Sequence, residues 1–315
     1  MRFDENADLD TSHIDDQRGG GGGGGGGAFG GRVAVGGGGL GIVGLILYFL
    51  LSQLGGGGDG GGGLSLPGGL AGLSSGSTAD TSAIASSCKT GAQANTQLDC
   101  EVVADINSID GYWTDAFARS GQTYVAPRTN FFNGSVNTAC GAATSDTGPF
   151  YCPGDNEVYI DLSFFQELQT RFGAKGGPFA RAYVIAHEYG HNVQFLLKTS
   201  NRVQAGDTGP TSGSVRLELQ ADCYAGVWGN HATTTPTASG RPLITGVTQD
   251  DVKAALDTAS RIGDDFIQTN LGGGRVDQSQ FTHGTSAQRE KWFTTGYTTG
   301  DPSKCDTFAR NVNLG

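Results

Sequence analysis

The sequence predicts a mainly helical α+β domain that follows a glycine-rich segment and one transmembrane helix. Three observations carry the prediction. Apolar residues recur at helical spacing in several stretches beyond residue 97, one short stretch alternates as a strand does, and glycine dominates up to about residue 80 around a single charge-free apolar run.

From the N-terminus, residues 1–32 read as a disordered tail, polar and acidic up to Arg18 and then almost pure glycine. Val33–Leu54 carries no charge over 22 residues. At about 1.5 Å per residue it reaches about 33 Å, enough to span a bilayer core. A cleaved signal peptide would place a basic start close to the run and a small-residue site after it. Here a long polar and glycine segment precedes the run and "LLSQLGGGG" follows. Arg18 and Arg32 precede the run, and no Lys or Arg follows until Lys89. That asymmetry predicts a single-pass anchor in the cell membrane, with the N-terminus cytoplasmic and the domain outside. Residues 55–86 read as a Gly/Ser linker and residues 87–315 as the folded domain, long enough for one core.

Within the domain, Val102, Val103, Ile106, Ile109, Trp113 and Phe117 predict a helix over 98–121. "TYVAPRTNFFNG" reads as short extended segments joined by turns. "NEVYIDL" alternates and predicts a strand over 156–162, with Asp161 placed to cap a helix over 162–172. Pro178 opens a helix to about residue 199. Further helices are predicted over 214–232 and 248–270, and a last one after Thr285, where Thr285 and Gln288 have capping-box spacing.

Six cysteines all follow the glycine-rich region, and none forms a CxxC. Their even number predicts disulfides formed in an oxidising compartment. Cys88 with Cys100 and Cys140 with Cys152 could each close a short loop, and Cys223 with Cys305 would tie a helix to the C-terminal tail. The net charge of −11, without a Lys/Arg cluster, excludes a nucleic-acid binder.

The chemistry is concentrated in "VIAHEYGHNVQ", residues 184–194. On a helix, His187 and His191 share one face one turn apart and can present two imidazoles to one ion. Glu188 points to the adjacent sector, where a carboxylate can reach a water at the metal without ligating it. The apolar flanks Val184, Ile185 and Val193 mark an interior helix, in which two unpartnered imidazoles would be costly. A catalytic zinc takes three protein ligands and keeps one position open. No third histidine follows in the H-x-x-G-x-x-H extension, where Leu197 stands instead. The stretch "VRLELQADCYAG" supplies Glu218 as the third ligand to Zn²⁺. Asp222, one turn on, is placed to accept an N–H from a ligating histidine.

The pattern HExxH…ExxxD resembles that of the gluzincin metallopeptidases. The chain as a whole resembles the neutral zinc metallopeptidase family of bacteria. The resemblance lies in the acidic start with its glycine run, the hydrophobic span, "FYCPGDNEVYID", "AHEYGHNVQ", "LELQADCYAG" and "HGTSAQR", and it covers nearly the full length. It implies a zincin-like domain and a zinc peptidase acting on peptide or protein substrates.

With such an ion, Glu188 would act as general base toward a water attacking a peptide carbonyl. A further donor would steady the developing oxyanion; the candidates are His283, just before a capped helix, and Tyr189. Arg289 is a candidate for binding substrate or for pairing with Asp222. His13 and His231 read as surface residues. The strand Val158–Ile160 is placed to pair with an extended substrate. The alternative reading is a non-catalytic, envelope-anchored binding module whose zinc is structural, with Cys223 as its fourth ligand. Hydrolysis of a non-peptide amide is a third reading. Cleavage specificity and oligomeric state leave no mark on the sequence.

Overall fold

The computed structural model describes residues 1–18, 81–204, 206–237 and 240–315. Helices account for about half of these residues, and the remainder includes three small sheets, so the fold is mixed α/β. The expected transmembrane run 33–54 lies outside the described residues. Among the described residues no helix is long and apolar enough to cross a membrane.

The N-terminal residues correct the expected tail. Arg2–Phe3 forms β1 and Ile14–Asp16 forms β2. Strand β2 pairs in parallel with β3 (Arg128–Phe131), Ile14 opposite Thr129 and Asp16 opposite Phe131. Strand β1 pairs antiparallel with a strand at Ile244–Gly246. Phe3, Ala7 and Ile14 are buried in the main core. Polar residues flank these three anchors, so the segment has no apolar run to betray it. The expected linker likewise ends early: α1 (Ser82–Ser87) and α2 (Gly91–Ala94) precede the long helix α3 (Leu98–Arg119).

After β3 come a hairpin of β4 (Ser135–Thr138) and β5 (Gly141–Thr144), then β6 (Phe150–Cys152) and β7 (Glu157–Ile160). The main sheet runs β2-β3-β7-β6. Strand β7 pairs with β3 on one side and with β6 on the other. It therefore has no free edge for a substrate, contrary to the sequence reading; the edge next to it is β6.

Helix α4 (Phe164–Thr170) follows, with Asp161 Oδ1 accepting from the Ser163 N–H at 3.0 Å. Helices α5 (Pro178–Leu196) and α6 (Gly213–His231) form the centre. Both are buried nearly all round, as expected of helices apolar on every face. Gly190 lets them approach closely: a Cβ there would lie 3.1 Å from the Ala221 Cα. The expected 248–270 helix is two, α7 (Gln249–Arg261) and α8 (Asp264–Asn270). At the break the Ser286 hydroxyl donates to Ser260 O at 2.7 Å and the Asp264 N–H donates to Gly284 O at 2.8 Å, and the approach is close enough that a Cβ on Gly263 would lie 2.4 Å from the Ser286 N. Helix α9 (Ser286–Thr299) closes the fold, and its Thr285/Gln288 capping box is formed.

The disulfides are Cys88–Cys100, Cys140–Cys152 and Cys223–Cys305. Each of the two short loops contributes about 3 kcal/mol by restricting the unfolded chain.

Candidate metal centre

Helix α5 brings His187 and His191 to the face it turns toward α6, and α6 answers with Glu218. The donor atoms of these three side chains lie within 4.8 Å of one another, and all three residues are buried. His187 Nε2 is 3.1 Å from Glu218 Oε2, and His191 Nε2 is 3.4 Å from Glu218 Oε1. Tetrahedral ligands at zinc–nitrogen distances would stand about 3.3 Å apart. The spacing therefore fits the ion.

The far side of each ring fits as well. His187 Nδ1 lies 2.8 Å from Asp222 Oδ1, and His191 Nδ1 lies 2.9 Å from Gln194 Oε1. Those oxygens accept, so the Nδ1 atoms carry protons and both Nε2 atoms turn to the cluster. Gln194 is itself fixed, donating to Leu217 O at 2.6 Å and to Gln220 Oε1 at 3.2 Å. The sequence reading missed Gln194; its signal was a polar residue three positions beyond His191 on an otherwise buried face.

Asp222 sits in a buried network. It accepts from the Tyr183 hydroxyl at 2.6 Å and from Arg289 Nε and Nη2 at 2.9 Å each. Arg289 also donates to Ile262 O at 3.2 Å, so its guanidinium is committed to protein partners. Of the two roles expected for Arg289, the geometry provides the pairing with Asp222.

The electrostatics suit a cation. Burial works against charge on His187, but Asp222 and Glu218 outweigh it and raise the imidazole to about 10. Burial holds His191 down at about 4. Burial also opposes charge on Glu218, yet His283, His191 and His187 hold it well below the usual carboxylate range. Glu218 at the cluster and Asp222 behind His187 thus favour positive charge at the converged donors.

A cavity opens over the cluster. Glu188, His283 and Arg289 line it beside the three donors, together with Pro149, Phe164, Phe172, Val184 and Ile262. Burial pushes Glu188 up to about 8, and its Oε2 accepts from the Tyr151 N–H of β6 at 3.1 Å. His283 is buried, with Nδ1 2.8 Å from Thr282 Oγ1. Its loop is clamped by Asp264 Oδ2, which accepts from the N–H groups of Thr282, His283 and Gly284 at 2.8, 2.7 and 2.9 Å. Tyr189 does not reach the cavity. Its hydroxyl is buried against Thr129 Oγ1 at 2.8 Å, which removes it as an oxyanion donor. His231 stacks on Tyr112 and its Nε2 meets Gly300 O at 2.9 Å, and His13 lies beside Asp110, both away from the cavity.

Replacing Asp222 by asparagine should weaken zinc binding about 10- to 100-fold, because the amide is a poorer acceptor for the His187 N–H. Competition against a chromophoric chelator measures this. An unchanged affinity would detach Asp222 from the centre.

Residues 1–308 match the family model described as "Putative neutral zinc metallopeptidase". The chain is 49% identical to the uncharacterized protein Rv2575 of Mycobacterium tuberculosis over 225 residues, 71% of this chain and 75% of that protein. It is 44% identical to the uncharacterized protein YpfJ of Escherichia coli K12 over 205 residues, 64% of this chain and 68% of that one. No solved structure matches it.

Proposed function

Because the chain belongs to the neutral zinc metallopeptidase family, we propose that it is a zinc-dependent peptidase in which His187, His191 and Glu218 hold the ion and Glu188 is the general base. The observation that carries this reading is Glu188 itself, a buried carboxylate that lines the cavity beside three converged donors and is not one of them. Bound there, zinc supplies Lewis acidity toward a carbonyl oxygen and toward water.

The remaining steps belong to this chain's residues. Glu188, made basic by burial, takes the proton of the attacking water at its carboxylate and passes it to the leaving amine. The Tyr151 N–H fixes the direction of that carboxylate. His283, held in place by its clamped loop, donates toward the developing oxyanion. Asp222 and Arg289 keep His187 oriented. The substrate backbone runs along the free edge of β6, next to Glu188. Three disulfides support a domain that works in an oxidising compartment outside the cytoplasm.

Against the structural-zinc alternative stands the donor count. The group has three members among the described residues, and Cys223, its candidate fourth ligand, is bonded to Cys305. Structural zinc sites are almost always closed by four protein ligands. The test is to purify the full chain, measure bound zinc and assay casein and mixed-peptide cleavage before and after chelation. One zinc per chain is expected, with cleavage that chelation abolishes and zinc restores. Stoichiometric zinc without cleavage would favour the binding module.

A further inference from the structure

We propose that the Cys140–Cys152 disulfide is a positioning device for one wall of the cavity: it holds β6 and the loop before it against Glu188, so that losing it costs catalysis while the metal centre stays intact. The inference rests on the peptidase reading above.

Three cavity-lining residues, Thr147, Gly148 and Pro149, fall between the two cysteines. Strand β6 follows them directly and ends at Cys152. It is three residues long, has β7 as its one partner strand among the described residues, and supplies the Tyr151 N–H that fixes Glu188. A wall this short gains little from its ladder alone.

What supports it is a small apolar cluster of Phe132, Val136, Ala143, Phe150 and Tyr159 around the two cysteines, separate from the main core. The ring of Tyr151 is the point where β6 enters the main core. The metal donors stand on α5 and α6, most of whose buried apolar residues belong to the main core, and α6 is tied to the C-terminal tail by Cys223–Cys305. Wall and metal centre are thus secured by different devices. Freeing the wall lets it open locally with the rest folded.

Cys88–Cys100 provides a matched control. It closes a loop of the same sequence separation, 12, and none of the residues within it lines the cavity. A role limited to restricting the unfolded chain would make the two bridges equivalent.

The experiment compares the full chain with C140A/C152A and C88A/C100A. It reads melting temperature, zinc content, kcat and KM on a peptide substrate, and amide exchange at Tyr151. Both variants should melt lower by comparable amounts and keep their zinc. C140A/C152A alone should lose about a hundredfold in kcat, the effect of displacing a catalytic group by about 1 Å, with faster exchange at Tyr151. Equal kinetics for the two variants, unchanged exchange at Tyr151, or zinc lost from C140A/C152A would each overturn the proposal. An inactive wild-type chain would count against the peptidase reading, and exchange and zinc content would still decide what the disulfide holds.

Discussion

Glu188→Gln should leave the zinc content unchanged and lower peptide hydrolysis by about 10²- to 10⁴-fold, the usual contribution of a positioned general base. Glutamine has the size and planarity of glutamate and keeps an oxygen for the Tyr151 N–H, so the wall and the helix should be undisturbed. What it lacks is basicity. Burial has raised the Glu188 carboxyl to about 8, closer to the proton it must accept than an exposed carboxylate would be. The companion variant separates base from ligand. Glu218→Ala removes one of three donors and should lose the zinc itself. Metal analysis together with kcat on one peptide substrate reads both. Equal hydrolysis by Glu188→Gln and wild type would discard the mechanism, and zinc loss in Glu188→Gln would make Glu188 a ligand.

This pair of variants could be designed from the sequence, and the reason is local. The spacing of His187, Glu188 and His191, and of Glu218 and Asp222, is fixed by the helical repeat, so each half of the site can be read within one turn. That the two halves meet is a tertiary fact, suggested by chemistry because two buried helices carried the uncompensated polar groups. The capping box at Thr285 and the strand at Val158 were legible for the same local reason.

The misreadings share the opposite cause. The partner of Ile14 is Thr129, and the partner of Phe3 is Ile244. Pairings across more than a hundred residues leave no periodicity in so short a segment, and the glycine run beside it argued for a tail. Strand β7 was recognised as a strand, but whether it is an edge depends on β6, whose three residues carry no pattern. The break between α7 and α8 answers to Ser286 rather than to any neighbour in sequence. Gln194 escaped because its function, orienting His191, appears only when Leu217 and Gln220 hold its amide.

Removal of residues 1–18 should lower the melting temperature by about 10 °C or more. Phe3 and Ile14 are 4% and 1% exposed, and burying each side chain contributes roughly 1.5–3 kcal/mol. For a domain of this size, each kcal/mol shifts the midpoint by about 2–4 °C. Arg18 adds to the loss. Its Nη2 lies 2.7 Å from Asp16 Oδ2 and 3.0 Å from Asp99 Oδ2, and its guanidinium sits 5.2 Å from the centre of the Phe131 ring. The truncation would also strip β3 of its outer partner β2 and leave a raw sheet edge, which favours aggregation. Thermal unfolding of the full chain against the truncated one measures the effect, and Ile14→Ala tests one contact with an expected cost of about 2–5 kcal/mol. The same pairing bears on membrane topology. Strands β2 and β3 lie side by side, so a docked N-terminal segment is expected on the same side of a membrane as the metal domain. A cysteine at exposed Glu5 and another at exposed Lys253 should therefore react with an impermeant maleimide from the same side of the membrane. Labelling of one without the other, or a truncated chain that melts like the full one, would mean that the N-terminal segment does not dock as the structure has it.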